Sequence, residues 1–251
     1  MKNGLLSVSF RKLTVEEIIE QVKKAGLDGI EWGGDVHVPA GDVEKAKYVA
    51  KLMEEAGLET LSYGSYFNVG DMPVEEFRGV IDCAMALNTR IVRVWAGSKS
   101  PNLLDVSQEY YNKIIADSQA ICDMAKPYGL TICYEYHGWT LTENVELALK
   151  AVQAVDRENM CLYWQPNFCF APRANLAVLK QVLPYVRNMH VFKWTEDYAR
   201  YPLEDGREEW ESYIALAETT GKVTAAMLEF IKDDSLEQFQ ADAKVLKELT
   251  K

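Results

Sequence analysis

Residues 14–34 read TVEEIIEQVKKAGLDGIEWGG, and this stretch decides the fold. Val15, Ile18, Ile19 and Val22 fall on one stripe of a helix whose opposite face carries Glu16, Glu17, Glu20 and Lys23. Thr14, with Glu17 three residues on, makes a capping box for its start, and Gly26 is the kind of residue that ends a helix in the left-handed conformation. Residues 29–33 then form a short β-rich run. The same punctuation recurs at Glu55-Ala56-Gly57 and Pro127-Tyr128-Gly129, each glycine leading straight into another β-rich run. One helix–glycine–strand unit is being reused.

Working outward, strand patterns occupy residues 5–10, 29–33, 60–66, 91–95, 131–137, 160–165, 187–194 and 225–231, with amphipathic helical patterns between them. Eight βα units of about 30 residues are what a closed parallel barrel needs. An open doubly wound sheet would place a glycine-rich turn after its first strand, but here that turn reads Arg11-Lys12-Leu13. No Pro/Gly/Ser-rich linker interrupts the pattern, so the expectation is an α/β protein with a single (β/α)8 TIM-barrel domain over residues 1–251.

A formal net charge of −11 repels phosphate backbones and anionic lipid, so neither nucleic acid nor membrane is an expected partner. No signal-peptide pattern opens the sequence and no apolar run approaches the ~20 residues of a membrane span, which reads as cytoplasmic. The five cysteines lack CxxC spacing and read as buried reduced thiols. Phosphate-loop, Rossmann, nucleophile-elbow and HExxH motifs are all missing.

In barrels the chemistry sits at the carboxyl ends of the strands. Those positions hold Arg11, Glu31, Trp32, His37, Tyr63, Tyr66, Arg93, Trp95, Glu135, His137, Gln165, Asn167, His190, Lys193, Trp194, Glu229 and Lys232, a polar and aromatic ring where Val, Ile or Leu would ordinarily stand. Glu135, Gln165, His190 and Glu229 come one from each of the last four strands; oxygen donors with one imidazole suit a divalent Mn, Mg or Zn ion. Glu135 and Glu229 are the candidate acid/base pair for proton transfer alpha to a carbonyl. Trp32, His37, Arg93, Trp95, His137, Asn167 and Lys193 are candidate contacts to a small-molecule substrate. Residues 195–210 mix aromatics with acids and read as a lid, a homo-oligomer contact or a plain solvated loop.

Carried by GIEWGGDVHVP at 29–39, YEYHG at 134–138, YWQPN at 163–167, His190 and Leu228-Glu229-Phe230, the whole chain resembles the xylose-isomerase-like barrels. These include sugar isomerases, ketose epimerases, inosose dehydratases and a deoxyribonuclease branch, and the resemblance implies that the small-molecule substrate is a carbohydrate or polyol. The resemblance implies that a metal-binding Glu, Asp, His and Glu fall at Glu135, Gln165, His190 and Glu229, the glutamates exchanging the proton. Gln165 replaces the Asp, which lowers the ligand charge and weakens cation binding. Leu141, Phe168 and Glu196 stand where the ketose epimerases carry a Glu, a His and an Arg that grip substrate hydroxyls, so simple ketose 3-epimerisation is not expected. The resulting expectation is a sugar or cyclitol isomerase or epimerase; the alternatives are an inosose-type dehydratase and a non-catalytic sugar-binding barrel.

Overall fold

The computed structural model describes residues 1–97 and 106–251. Its strands are β1 (Lys2–Leu6), β2 (Gly29–Gly33), β3 (Glu59–Asn68), β4 (Ile91–Trp95), β5 (Thr131–Tyr134), β6 (Met160–Trp164), β7 (Val186–Val191) and β8 (Ala225–Leu228). They alternate with α1 (Val15–Ala25), α2 (Val43–Ala56), α3 (Phe77–Ala86), α4 (Gln108–Ala125), α5 (Val145–Val155), α6 (Pro172–Val182), α7 (Arg207–Glu218) and α8 (Leu236–Leu249). Every neighbouring pair of strands is parallel, and β1 closes the ring by pairing Gly4 with both Gly29 of β2 and Met227 of β8. This is the expected (β/α)8 barrel.

The punctuation works as the residue types dictate. Thr14 and Glu17 form both hydrogen bonds of the capping box, and Gly26 closes α1 at φ 66°. Ile18 and Val22 on the inner stripe of α1 are fully buried. Along each strand the side chains alternate: Ile30 and Trp32 pack outward under the helices, whereas Glu31 between them turns into the barrel. The interior holds only a small apolar cluster, including Leu6, Leu61, Tyr163 and Met227, beneath a polar layer.

Residues 5–10 are not one strand. β1 ends at Leu6, and Ser7–Phe10 turns into a 3-10 helix with all four side chains buried. The alternation of Ser7, Val8, Ser9 and Phe10 imitates a strand, but the turn lets Ser7 Oγ accept from Gly33 N–H at 2.8 Å and Ser9 Oγ accept from Phe230 N–H at 2.9 Å. These bonds tie the mouth of β1 to β2 and β8. The cysteines are free, but Cys169 is exposed, so not every thiol is buried. Among the described residues, no helix is long and apolar enough to cross a membrane.

Backbone packing at the foot of β2 is tight: a Cβ on Gly29 would lie 2.0 Å from the carbonyl oxygen of Glu59 on β3. Gly29→Ala is therefore expected to destabilise the barrel by about 1–3 kcal/mol through forced strand displacement. A urea-unfolding midpoint equal to that of the wild type would show that the strands give way freely.

Candidate functional site

The site begins inside the barrel. Arg93 on β4 is 2% exposed and places its fork between two carboxylates, Nε donating to Glu31 Oε1 at 2.9 Å and Nη1 donating to Glu135 Oε2. Ser62 hydroxyl donates to the second oxygen of Glu31 at 2.7 Å. Glu135 follows directly on β5, its N–H bonded to Val94 O at 3.0 Å, and Thr142 hydroxyl donates to its carbonyl. The Trp95 indole N–H also donates to Glu135 Oε2. With Oε2 held by two donors, Oε1 is left facing the centre of the barrel mouth.

There it meets the imidazole of His190, which lies within β7 and is fully buried. His190 Nδ1 stands 3.0 Å from Gln165 Oε1, 3.3 Å from Glu135 Oε1 and 3.5 Å from Glu229 Oε2. Its Nε2 faces Glu31 Oε1 at 3.9 Å, an electrostatic contact too long for a hydrogen bond. One imidazole nitrogen and three oxygens thus converge, and ligand atoms of Glu135, His190 and Glu229 lie within 4.8 Å of one another. Glu229 is 7% exposed, and among the described residues its only ion-pair partner is His190. A buried carboxylate so poorly matched calls for a cation, and the set of donors fits a divalent ion.

The electrostatics agree. Burial opposes the charge on Glu31, but Arg93 and His190 outweigh it and hold the pKa at about 2. Burial likewise opposes the charge on Glu135, yet Arg93 and His190 keep it well below the usual carboxylate range. Glu229 is the exception: burial raises it, His190 offsets this only partly, and the like charge of Glu135 adds to the rise. For His190, burial disfavours the cation, but Glu229, Glu135 and Glu31 prevail and push the pKa up to about 10. At neutral pH a proton on His190 therefore occupies the position a metal ion would take. Metal binding must expel it, so affinity for Mn²⁺ is expected to rise about tenfold per pH unit between about pH 6 and about pH 8 for each proton released. Titrations across that range check this; a flat profile would remove the competition.

Above the cluster, Gln165 and Glu229 form part of the floor of a cavity of about 450 Å³. Its walls are aromatic: Phe168, Trp194, Tyr198 and Phe230 pack ring to ring, with Trp139 and His137 also lining it. Trp139, Tyr198 and Phe230 all hold left-handed φ of 63°, 62° and 51°, a conformation costing roughly 1–2 kcal/mol for a side-chain-bearing residue.

The structure brings Glu135, Gln165, His190 and Glu229 together, with Arg93 and Trp95 bonded to Glu135 and with His137 and Asn167 on the cavity wall. It does not bring Trp32, His37 or Lys193 there. Trp32 is fully buried on the helix side of β2. Both His37 nitrogens are occupied, by Ser7 Oγ at 3.0 Å and Leu13 O at 3.1 Å. Lys193 Nζ is bound to Glu209 Oε1 at 2.5 Å. Arg93 is itself enclosed, so it serves Glu135 rather than reaching into the cavity. Of the segment 195–210, Tyr198 reaches the cavity and Leu203–Gly206 forms a 3-10 turn before α7. Glu31 is the residue the choice of Trp32 passed over, although strand alternation beside the core residue Ile30 points Glu31, not Trp32, inward.

No curated protein matches the chain. The crystal structure of the probable 3-DHS dehydratase AsbF involved in petrobactin synthesis from Bacillus anthracis is similar with a TM-score of 0.83, at 20% identity over 98% of this chain and 99% of that one. D-allulose 3-epimerase from Methylomonas sp. gives a TM-score of 0.74 at 14% identity, covering 99% of this chain and 96% of its own. A xylose isomerase domain protein from Planctomyces limnophilus gives 0.74 at 16% identity, covering 99% and 95%. At such identities these likenesses speak for the fold alone. A family model covers residues 19–249, and the chain belongs to the xylose isomerase-like TIM barrel family.

Proposed function

We propose that this protein is an isomerase or epimerase that moves a proton alpha to the carbonyl of a small carbohydrate- or cyclitol-derived compound. The observation that carries this reading is the convergence of Gln165 Oε1, Glu135 Oε1 and Glu229 Oε2 within 3.0–3.5 Å of His190 Nδ1 at the floor of an aromatic cavity. Two carboxyl groups whose surroundings drive their pKa values apart form a natural proton-transfer pair.

Glu229 lines the cavity, whereas Glu135 is held through Oε2 by Arg93 and Trp95, so Glu229 is the group placed to take a carbon-bound proton. Glu135 stays charged and fixed through Oε2, presenting Oε1 as the second exchange group. Gln165, His190 and the two glutamates would hold a divalent cation, which supplies Lewis-acid polarisation of the substrate carbonyl. His137 and Asn167 on the wall are positioned to orient substrate hydroxyls.

A dehydratase is the second reading, because the same proton abstraction begins both reactions. It is favoured by Phe168, which puts an aromatic ring in the cavity wall where the resemblance to the ketose epimerases would place a hydroxyl-gripping His. The test is incubation of the Mn²⁺-loaded protein in D₂O with sugars, inososes and related cyclic ketones, followed by proton NMR and mass spectrometry. Deuterium incorporation with mass otherwise conserved supports the isomerase, and loss of one water supports the dehydratase. Neither change with any substrate would leave a sugar-binding barrel.

A further inference from the structure

We infer that the cavity takes an electrically neutral ring compound bearing a flat apolar face or substituent, in preference to a phosphorylated or carboxylated sugar. This rests on reading the Glu135–His190–Glu229 cluster as the reacting centre, and it specifies the class of molecule delivered to it.

Among the described residues, the cavity lining contains Glu143 and Glu229 but no Lys or Arg. The cations nearby are already committed. Arg93 is held by Glu31 and Glu135, Lys193 by Glu209, Arg11 by Asp35 at 2.6 Å, and Arg200 by Asp234 at 2.8 Å. A divalent cation on the floor would find its two charges matched by Glu135 and Glu229. Among the described residues, an incoming phosphate or carboxylate would thus leave water for a lining with two acids and no Lys or Arg of its own, the nearest guanidinium, Arg200, lying behind Trp194 and Phe230 in its pair with Asp234, which disfavours it.

Phe168 lies 5.7 Å from Trp194 and 4.9 Å from Tyr198, centroid to centroid, and Trp194 lies 5.4 Å from Phe230. These rings make a continuous aromatic wall, and Trp139, 58% exposed, also lines the cavity. Three of these residues keep a left-handed backbone, strain of the kind that persists at ligand-binding positions. The cavity of about 450 Å³ lies in the range of pockets that enclose ligands larger than a single sugar ring.

The experiment is isothermal titration of the intact Mn²⁺-loaded protein with 4-nitrophenyl β-D-glucopyranoside, D-glucose and D-glucose 6-phosphate. The aryl glycoside is expected to bind about tenfold tighter than glucose, the gain that stacking on such a wall provides. Glucose 6-phosphate is expected to bind no tighter than glucose. Phe168→Ala, and separately the surface-exposed Trp139→Ala, should each reduce the aryl preference. Tighter binding of the phosphate, equal binding of aryl glycoside and glucose, or an aryl preference untouched by both variants would overturn the inference. Repeating the titrations with Glu229→Gln separates the two readings: the preference should survive there while proton exchange is lost. A preference seen in a wild type that exchanges no proton on any substrate would sink the isomerase reading and leave this one standing.

Discussion

Glu229→Gln is expected to lower alpha-proton exchange by about 10²- to 10⁴-fold, the range that a positioned general base contributes. The substitution keeps the side chain's shape and removes only its ability to carry a proton and a charge. Stability moves the other way in the metal-free protein. A carboxyl whose folded pKa is raised costs stability once the pH exceeds its unfolded value, so removing the charge should leave the metal-free protein as stable as the wild type or more so at pH 7. Activity loss together with an unchanged or higher melting temperature is the expected pair of results, read by D₂O exchange and calorimetry. Retained exchange would assign the proton step to another group.

The largest effect on stability is expected at Arg93. Its guanidinium is the shared partner of Glu31 and Glu135, both almost fully buried, so Arg93→Met leaves two carboxylates without their cation. Breaking a buried pair in this way costs about 3–5 kcal/mol, a fall of roughly 6–20 °C in melting temperature at this chain length. The pH dependence follows from Glu31. Its folded pKa is lowered to about 2, so its contribution is present above the unfolded value and is lost as the pH falls towards 2. Arg93→Met should remove much of that acid-side slope. The double variant Arg93→Met, Glu31→Leu should regain part of the loss, since it removes one of the stranded charges. A melting temperature equal to wild type in the single variant would show that the network is not what holds the barrel floor.

Much of the fold was legible because its signals are local. Thr14 with Glu17, Gly26 and Gly57 mark helix ends by chemistry that needs no tertiary context, and eight successive βα units admit few topologies. What was not legible depends on neighbours distant in sequence. Ser7 to Phe10 alternate like a strand and turn instead because Gly33 and Phe230 need the serine hydroxyls. His37 follows a Gly-Gly-Asp turn that suggests a binding loop, but Ser7 and Leu13 take both its nitrogens. The four residues proposed to hold the metal stand out in the sequence because each lies at or just beyond the carboxyl end of a barrel strand. The aromatic wall was legible only in part: Trp194 belongs to the aromatic ring at the strand ends, but nothing local announces that Trp139, Tyr198 and Phe230 adopt left-handed backbone and line one cavity.

The central claim is that Glu135, Gln165, His190 and Glu229 form a divalent-metal site, and elemental analysis tests it most directly. The purified wild type, His190→Ala and Glu229→Ala would each be equilibrated with Mn²⁺, Mg²⁺ and Zn²⁺ and then freed of unbound ion. The account predicts close to one metal ion per wild-type chain and loss of that ion in both variants. A wild type that retains none of the three metals would contradict it.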